Sequence, residues 1–156
     1  MVRPVAIDVV ELFSDLVRLE TELWNRVDSR VQQVHSVPLA WVEIMRVVRA
    51  TPDCRVLDIT KALSITVGGA SKVVDRVASA GLCRRAPNPA DGRSSLIRLT
   101  PPGEALLDAA NVTVAAALAA YVGAALPAGQ LTQLSTSLRR LRDHLAVTDR
   151  AAVAER

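Results

Sequence analysis

Residues 66–103, TVGGASKVVDRVASAGLCRRAPNPADGRSSLIRLTPPG, decide the fold of this chain. Their first part predicts a helix of about four turns, because apolar residues recur at helical spacing while polar residues fall on the opposite side. Thr66 is the expected N-cap, and Gly81 suits the left-handed conformation that often follows a helix end. The apolar residues expected to pack are Val67, Ala70, Val74 and Val77.

A β-hairpin is expected to follow this helix. The ranges 82–86 and 95–99 have strand character, and they flank a turn-rich loop, Pro87–Arg93, which places Arg93 near its tip. Thr100, followed by two prolines, is then a clear helix start. The stretch therefore predicts a helix followed by a hairpin wing and a new helix.

The preceding residues complete a winged helix-turn-helix over 38–99. We expect a helix over 38–50 with Leu39, Val42 and Met45 inward, and a short additional strand over 55–57. A compact helix over 58–63 and a turn over 64–66 then lead into the helix from Val67. This arrangement is typical of proteins that bind duplex DNA.

Long amphipathic helices at both ends predict a homodimer. A helix over 6–34 is longer than a small globule needs, so part of its apolar stripe is expected to meet another chain. The range 100–147 holds two further helices, and the last carries a coiled-coil-like leucine seam that needs a facing helix. The expected dimer interface consists of Val9, Phe13, Leu16, Leu131, Leu134, Leu138, Leu141 and Leu145.

At the wing the sequence resembles a known family. Asp91-x-Arg93, followed by Leu99-Thr100-x-x-Gly103, resembles the wing signature of the MarR family (multiple antibiotic resistance regulators), and 65–82 resembles its recognition helix. The resemblance covers about residues 6–147. It implies a mainly α single domain, 1–156, with a small β-hairpin wing, a winged helix-turn-helix, and N- and C-terminal dimerisation helices. It also implies a regulator, most often a repressor, that a small aromatic or anionic ligand releases from DNA.

Charge is concentrated in the predicted DNA-binding region. The net charge is only +3, yet residues 55–100 hold eight Arg or Lys against three Asp, which makes this third +5 and the remainder −2. A localised basic face is typical of phosphate binding, although a solvated basic hairpin is the alternative. A homodimer would place two recognition helices about 10 bp apart on a pseudo-palindromic site in double-stranded DNA.

Several residues are candidate DNA contacts. Lys72 and Arg76 would reach phosphates or a guanine edge, although Arg76 could instead pair with Asp75 or Asp58. Arg93 is expected to enter a minor groove, and only one of Arg84 and Arg85 can face DNA. Asp91 repels phosphate and is expected to brace the wing by pairing with an arginine. The complete candidate set is Thr66, Gly68, Gly69, Ser71, Lys72, Arg76, Arg93 and Ser94.

Gly68 and Gly69 would let backbone N–H groups at the positive helix end approach a phosphate closely. They also remove two side chains that would otherwise contact bases, so we expect modest direct readout of the sequence.

The ligand pocket implied by the resemblance has four candidate lining residues. Trp24, His35, Trp41 and Met45 would line a crevice between the dimerisation helices and the helix-turn-helix, although such residues are more often part of a core. The first alternative is a thiol redox sensor, for which Cys54, in a loop beside Arg55, is a better candidate than Cys83. The second is a winged-helix module for protein contacts or architecture that has no inducer.

Enzymatic, metal and membrane roles are not expected. No nucleophile elbow or phosphate-binding loop is present, and the two histidines and two cysteines form no metal-ligand spacing, so no cofactor is predicted. Two cysteines far apart and no visible signal peptide indicate a reduced, cytoplasmic protein. The longest apolar run, Val112–Leu126, is shorter than the roughly 20 residues of a membrane span. We expect it to form a helix buried on every side.

Overall fold

The computed structural model describes residues 8–154, with side chains described as far as residue 148. The predicted beginning of the first helix at residues 6 and 7 lies outside this range, as do the ends of the predicted domain. The described chain divides into two compact units, one ending at Ala117 and one beginning at Leu118. In chain order the elements are α1 (Val9–His35), α2 (Leu39–Ala50), α3 (Val56–Leu63), α4 (Val67–Ser79), β1 (Cys83–Pro87), β2 (Ser95–Leu99), α5 (Pro101–Leu118), a π-helix (Ala119–Gly123) and α6 (Ala128–Ala154).

Helix α2 lies at the centre of the first unit. Its predicted inward residues Leu39, Val42 and Met45 are buried, and it also buries Ile44 and Val48. Helix α1 contributes only its C-terminal half to this core, through Val27 and Val31. The core is completed by buried residues of α3, α4, the wing strands and α5, with Ile59, Val74, Ile97 and Leu107 among the most buried. This packing holds the helix-turn-helix and the wing on one common core.

The expected helix caps are present. Thr66 accepts a hydrogen bond from the backbone N–H of Gly69 at 3.1 Å. Thr100 Oγ1 likewise accepts from the N–H of Gly103 at 3.2 Å, and Gly81 has the left-handed φ of +74° that its position predicts. These caps fix where the recognition helix ends and where α5 begins.

The sheet is a two-stranded antiparallel hairpin in which Cys83 pairs with Leu99 and Pro87 with Ser95. The expected third strand over 55–57 is wrong, because α3 already begins at Val56. The carboxylate of Asp58 accepts the backbone N–H of Arg55 at 2.9 Å, which caps the start of α3 and extends the helix by two residues. What remains of a third strand is one hydrogen bond of 2.7 Å, from Ile97 N to the carbonyl of Cys54.

Helix α5 is not buried on every side, contrary to expectation. It buries Leu107, Ala110, Val114 and Ala117 along one face, whereas Val112 is 71% exposed on another. By length and composition alone, Pro101–Gly123 is the one helical stretch within residues 8–154 that could cross a membrane. The buried face of α5 belongs to the core of the first unit.

The second unit consists of the π-helix and α6. The five leucines of the expected seam recur along α6, and four of them are between 38% and 62% exposed: Leu134, Leu138, Leu141 and Leu145. Leu131 is half-buried. The seam therefore lies open along this helix.

Candidate nucleic-acid interface

Helix α4 buries one side and exposes the other. Ala70, Val74 and Val77 have no exposed surface, while the candidate contacts Gly68, Gly69, Lys72 and Arg76 are exposed. The expectation that Val67 also packs is wrong, since it is 53% exposed. The first turn of α4 therefore projects beyond the core.

The projecting turn carries unpaired backbone donors. The hydroxyl of Thr66 satisfies the N–H of Gly69, but the N–H groups of Val67 and Gly68 have no hydrogen-bond partner within the described part of the chain. A Cβ added at Gly68 would meet nothing within 4 Å. Free N–H groups at the positive end of a helix are suited to an anion such as a phosphate.

The wing tip is held together by its own hydrogen bonds. Asp91 Oδ1 accepts the backbone N–H of Arg93 at 3.0 Å, and Asn88 Nδ2 donates to Ser94 Oγ at 2.8 Å. The hydroxyl of Ser94 also donates to the carbonyl of Asp91 at 3.2 Å. The expectation that Asp91 pairs with an arginine is wrong, because its carboxylate is used to cap the turn that carries Arg93.

Arg85 connects the wing to α4. Its Nε and Nη2 atoms lie 3.1 and 2.8 Å from Asp75 Oδ1, Nη2 lies 3.3 Å from Ser71 Oγ, and Nη1 lies 3.0 Å from Ser95 Oγ. Of the two neighbouring arginines, Arg85 is thus the one beside α4. Arg84 is paired in register with Arg98, and Arg98 forms an ion pair of 3.0 Å with Asp53. The two arginines point to opposite faces of the hairpin, as strand alternation requires.

Most of the basic side chains in this region are unpaired. Of the eight over 55–100, three form ion pairs: Arg55 with Asp58, Arg85 with Asp75, and Arg98 with Asp53. Arg76 forms an ion pair with neither of its predicted partners, and Asp58 and Asp75 each bind another arginine. Within the described residues, the side chains without an ion pair are Lys61, Lys72, Arg76, Arg84 and Arg93. The recognition helix and the wing tip thus present positive charge that no carboxylate neutralises.

The carboxylate of Asp58 stabilises the start of α3 by accepting hydrogen bonds from Arg55. The backbone N–H of Arg55, and then its side chain, lower the pKa of this carboxyl below its ordinary value. Ser64 ends α3 in the left-handed conformation, with φ of 54°, and α4 begins three residues later at Val67. The helix-turn-helix is thereby closed by local caps at both of its helices.

None of the cavities described for residues 8–148 is lined by the four candidate ligand-pocket residues. Met45 has no exposed surface and belongs to the core, so its assignment as a lining residue is wrong. His35 Nε2 lies 2.8 Å from Thr113 Oγ1, and Trp41 packs against the core. Trp24 is 39% exposed on α1. Periodicity cannot distinguish a core residue from a pocket residue, because both face inward.

A cavity of about 790 Å³ lies elsewhere, between the loop after α2 and the outer face of the wing. Its lining includes Asp53, Arg55, Leu96 and Arg98, and three prolines. None of the four predicted pocket residues lines it. The sequence carried no local signal for it, because the loop and the wing are about 40 residues apart in the chain.

Neither cysteine suits a redox sensor. Cys54 is 1% exposed, and burial raises the pKa of its thiol to about 11. Burial also raises the pKa of Cys83, whose Sγ donates to the carbonyl of Val74. The structure contradicts the choice of Cys54 as the more reactive thiol, because its side chain is buried and its thiolate is suppressed. No group of three or more His, Cys, Asp or Glu side chains suited to a metal occurs in the described part of the chain.

Two apolar surfaces remain uncovered, each in its own unit. On α1, Val9 is 71% and Phe13 66% exposed, and Leu16 is half-buried. On α6 the leucine seam is exposed as described above. Exposed apolar surface of this kind is typical of interaction sites.

Comparison with known proteins supports the sequence resemblance. The model of the MarR family matches residues 39–95. Two curated relatives carry the name multiple antibiotic resistance protein MarR. The one from Salmonella typhimurium is 36% identical over 52 residues, 33% of this chain and 36% of its own length. The one from Escherichia coli is 24% identical over 137 residues, 84% of this chain and 95% of its own length. In the first match this chain thus spans only about a third of the relative.

The fold also matches a solved structure over nearly its whole length. Sco3205 of Streptomyces coelicolor, a MarR family transcriptional regulator crystallised in complex with DNA, superposes with a TM-score of 0.80. The match covers 92% of each chain at 22% sequence identity. The predicted mainly α winged helix-turn-helix fold is therefore confirmed.

Proposed function

We propose that this chain, which resembles the MarR family in sequence and in fold, is a homodimeric regulator of transcription that binds a pseudo-palindromic operator. In this proposal it acts in the cytoplasm as a repressor and is not an enzyme. A small aromatic or anionic ligand releases it from DNA. The observation that carries the proposal is the group of unpaired cations on one side of α4 and on the wing tip.

The proposed DNA contacts divide by chemistry. Lys72 and Arg76 lie one turn apart on the exposed side of α4, where they would bind phosphates or a guanine edge in the major groove. Arg93, on the internally bonded wing tip, would enter the adjacent minor groove. The free N–H groups at the start of α4 would hold a phosphate. Ser71 and Ser94 already have intramolecular partners, so we assign them smaller roles than Lys72 and Arg93.

Two sets of exposed apolar residues support the proposed homodimer. A second copy would cover the N-terminal half of α1 and the leucine seam of α6, which a single chain leaves open to water. Dimerisation would present two copies of α4 to successive turns of a DNA duplex.

The decisive experiment compares charge removal at the proposed DNA contacts with charge removal at an arginine that is already paired. DNA fragments from the source genome, including the promoter of the chain's own gene, are tested by mobility shift over a salt series. Lys72→Ala and Arg93→Ala should each weaken binding and lower the salt slope by about one phosphate contact. Arg98→Ala is the matched control, because it removes the same charge from a side chain that Asp53 already neutralises.

Equal binding by all four proteins would rule out the proposed DNA interface and favour a module for protein contacts. Repression is tested separately, since deletion of the gene should raise transcription from a bound promoter. Ligand release is tested by screening small aromatic acids for loss of the mobility shift, with the fluorescence of the two tryptophans as a binding signal.

A further inference from the structure

Besides the Sγ of Cys83, which donates to the carbonyl of Val74, the wing strands meet α4 through the guanidinium of Arg85. Arg85 on β1 makes two hydrogen bonds to Asp75 and one to Ser71, all on α4, and a fourth to Ser95 on β2. One guanidinium therefore joins both strands of the hairpin to the helix. Its planar fork holds several acceptors in fixed directions, which a flexible lysine would not do.

The group lies between the two proposed DNA contacts. On α4, Ser71 is adjacent to Lys72, and Asp75 is adjacent to Arg76. On the hairpin, Ser95 follows the tip loop that carries Arg93, and that loop is rigidified by Asn88, Asp91 and Ser94. A two-stranded hairpin has little stability of its own. The position of Arg93 relative to Lys72 thus depends on what fixes the base of the hairpin.

The charge of Asp75 makes its position unexpected. Its side chain is 61% exposed on the side of α4 proposed to face DNA, where a carboxylate repels phosphate. A residue selected only for attraction to DNA would not be acidic. Its hydrogen bonds to Arg85 supply a structural reason for the carboxylate.

We infer that Asp75 and Arg85 form a strut that sets the distance between the recognition helix and the wing tip. Both are positioning residues, and they act through Lys72 and Arg93. This inference rests on the proposed function. The strut also predicts that the negative charge of Asp75 strengthens DNA binding. The direct electrostatic effect of this carboxylate would be to repel the phosphates.

Asp75→Ala is the discriminating variant. The strut predicts weaker DNA binding, by about threefold or more, because the wing loses its fixed position. A purely electrostatic role predicts tighter binding, since the variant removes a repulsive charge and releases Arg85 to contact phosphate. Asp53→Asn is the matched control. It removes the same charge from the other face of the wing, and Asn tolerates the φ of 49° at that position. Binding by Asp53→Asn should be unchanged or slightly tighter.

A double-mutant cycle tests the coupling. Arg93→Ala should reduce DNA affinity several-fold more in the wild-type protein than in Asp75→Ala. In Asp75→Ala the wing tip is already displaced, so Arg93 no longer reaches the minor groove. The same fold-loss in both backgrounds would overturn the strut, as would tighter binding by Asp75→Ala. Ser95→Ala removes the fourth hydrogen bond without altering α4 and should change affinity in the same direction as Asp75→Ala, by a smaller factor.

Hydrogen exchange keeps the inference testable without DNA. If the wild-type protein binds no DNA, the proposed function fails, but Asp75→Ala should still speed amide exchange in β1 and β2 while leaving α2 unchanged. Unchanged exchange in the hairpin would overturn the strut independently of the proposed function.

Discussion

Asp28 of α1 accepts the backbone N–H of Leu39, the first residue of α2, with 2.7 Å between Oδ1 and N. The N-cap residue of α2 is Pro38, which offers no side-chain acceptor. A carboxylate from another helix therefore performs the cap, and it ties α1 to α2 where the chain reverses.

Asp28→Ala should lower the free energy of unfolding by about 1–2 kcal/mol, the usual effect of losing an N-cap. Urea denaturation followed by circular dichroism measures it. Asp28→Asn retains an acceptor and should lose less than half of that amount. Asp15→Ala, an exposed change on the same helix, serves as the control. An Asp28→Ala protein as stable as wild type would show that water replaces this cap at no cost.

Gly103→Ala should destabilise the protein by about 1–3 kcal/mol through overpacking. A Cβ at this buried position would lie 1.9 Å from the carbonyl oxygen of Leu82, so α5 would have to move away from the exit of α4. Gly129→Ala in α6 is the matched control, because a Cβ there meets nothing within 4 Å. The control should be neutral or stabilising by up to about 1 kcal/mol. Thermal unfolding of the two variants should therefore shift in opposite directions, or only for Gly103→Ala.

Gly68→Ala should separate stability from DNA binding. The new methyl group meets no neighbour and favours the helix, so the free energy of unfolding should rise by a few tenths of a kcal/mol. If the first turn of α4 approaches a phosphate, the same methyl group should weaken the mobility shift. A stabilised variant with unchanged affinity would place the DNA backbone farther from this turn.

Both native thiols should react slowly with an aromatic disulfide reagent at pH 8. Cys54 is buried with a pKa of about 11, and the pKa of Cys83 is also raised, so little thiolate is present. Ser79→Cys, at an exposed position of α4, provides a reactive reference thiol. Peroxide should leave the mobility shift unchanged. Rapid labelling of Cys54 in the folded protein would restore the redox-sensor alternative.

The same burial makes stability depend on alkaline pH. The thiol of Cys54 has an ordinary pKa of 9.0 and a folded pKa of about 11. Its contribution is therefore fully present below about pH 9 and is lost as pH rises through 11, because only the unfolded chain ionises freely in that window. Comparison with Cys54→Ala isolates the effect. Wild type should lose more of its melting temperature between pH 9 and 11 than the variant does.

Phe13→Glu should dissociate the proposed homodimer. The side chain is 66% exposed in a single chain, so a charge there should not disturb the fold, but it would be buried in the proposed interface. Light scattering after size exclusion should show half the mass, and the mobility shift should be lost. Ser29→Glu, exposed on the same helix and about 160° around it, is the control for added charge. Monomeric wild-type protein would contradict the dimer directly.

Local signals in the sequence were sufficient for most of the fold. Thr66, Gly81 and Thr100 marked helix ends that depend only on neighbouring residues, and the structure has those ends. The start of α3 was misplaced although its signal was present, because Asp58 is three residues beyond Arg55, the spacing of a capping box. The β-branched and apolar character of Val56 and Leu57 favours a strand, but the cap formed by Asp58 places both residues in α3.

Contacts between side chains on different elements could not be predicted from the sequence in the same way. Asp75 and Arg85 are ten residues apart on different elements, so their contact depends on the angle between wing and helix, which no periodicity encodes. Strand alternation did show that Arg84 and Arg85 point to opposite faces and that only one of them can face DNA, but not which one. The predicted burial of Val67 is wrong for a related reason, and Met45, which was correctly predicted to face inward, lies in the core and not in a pocket. Helical spacing identifies an inward side, whereas the neighbouring elements determine how far along that side the core extends.

Thr100 connects the end of α4 to the beginning of α5 through three hydrogen bonds. Its hydroxyl donates to the carbonyl of Gly81 at 2.6 Å and accepts the N–H of Gly103, while its own N–H donates to the carbonyl of Leu82 at 3.1 Å. These hydrogen bonds join the end of α4 directly to the beginning of α5 across the base of the hairpin. A tilt of α5 should therefore displace the C-terminal end of α4 as well, so we expect the two helices to reorient together.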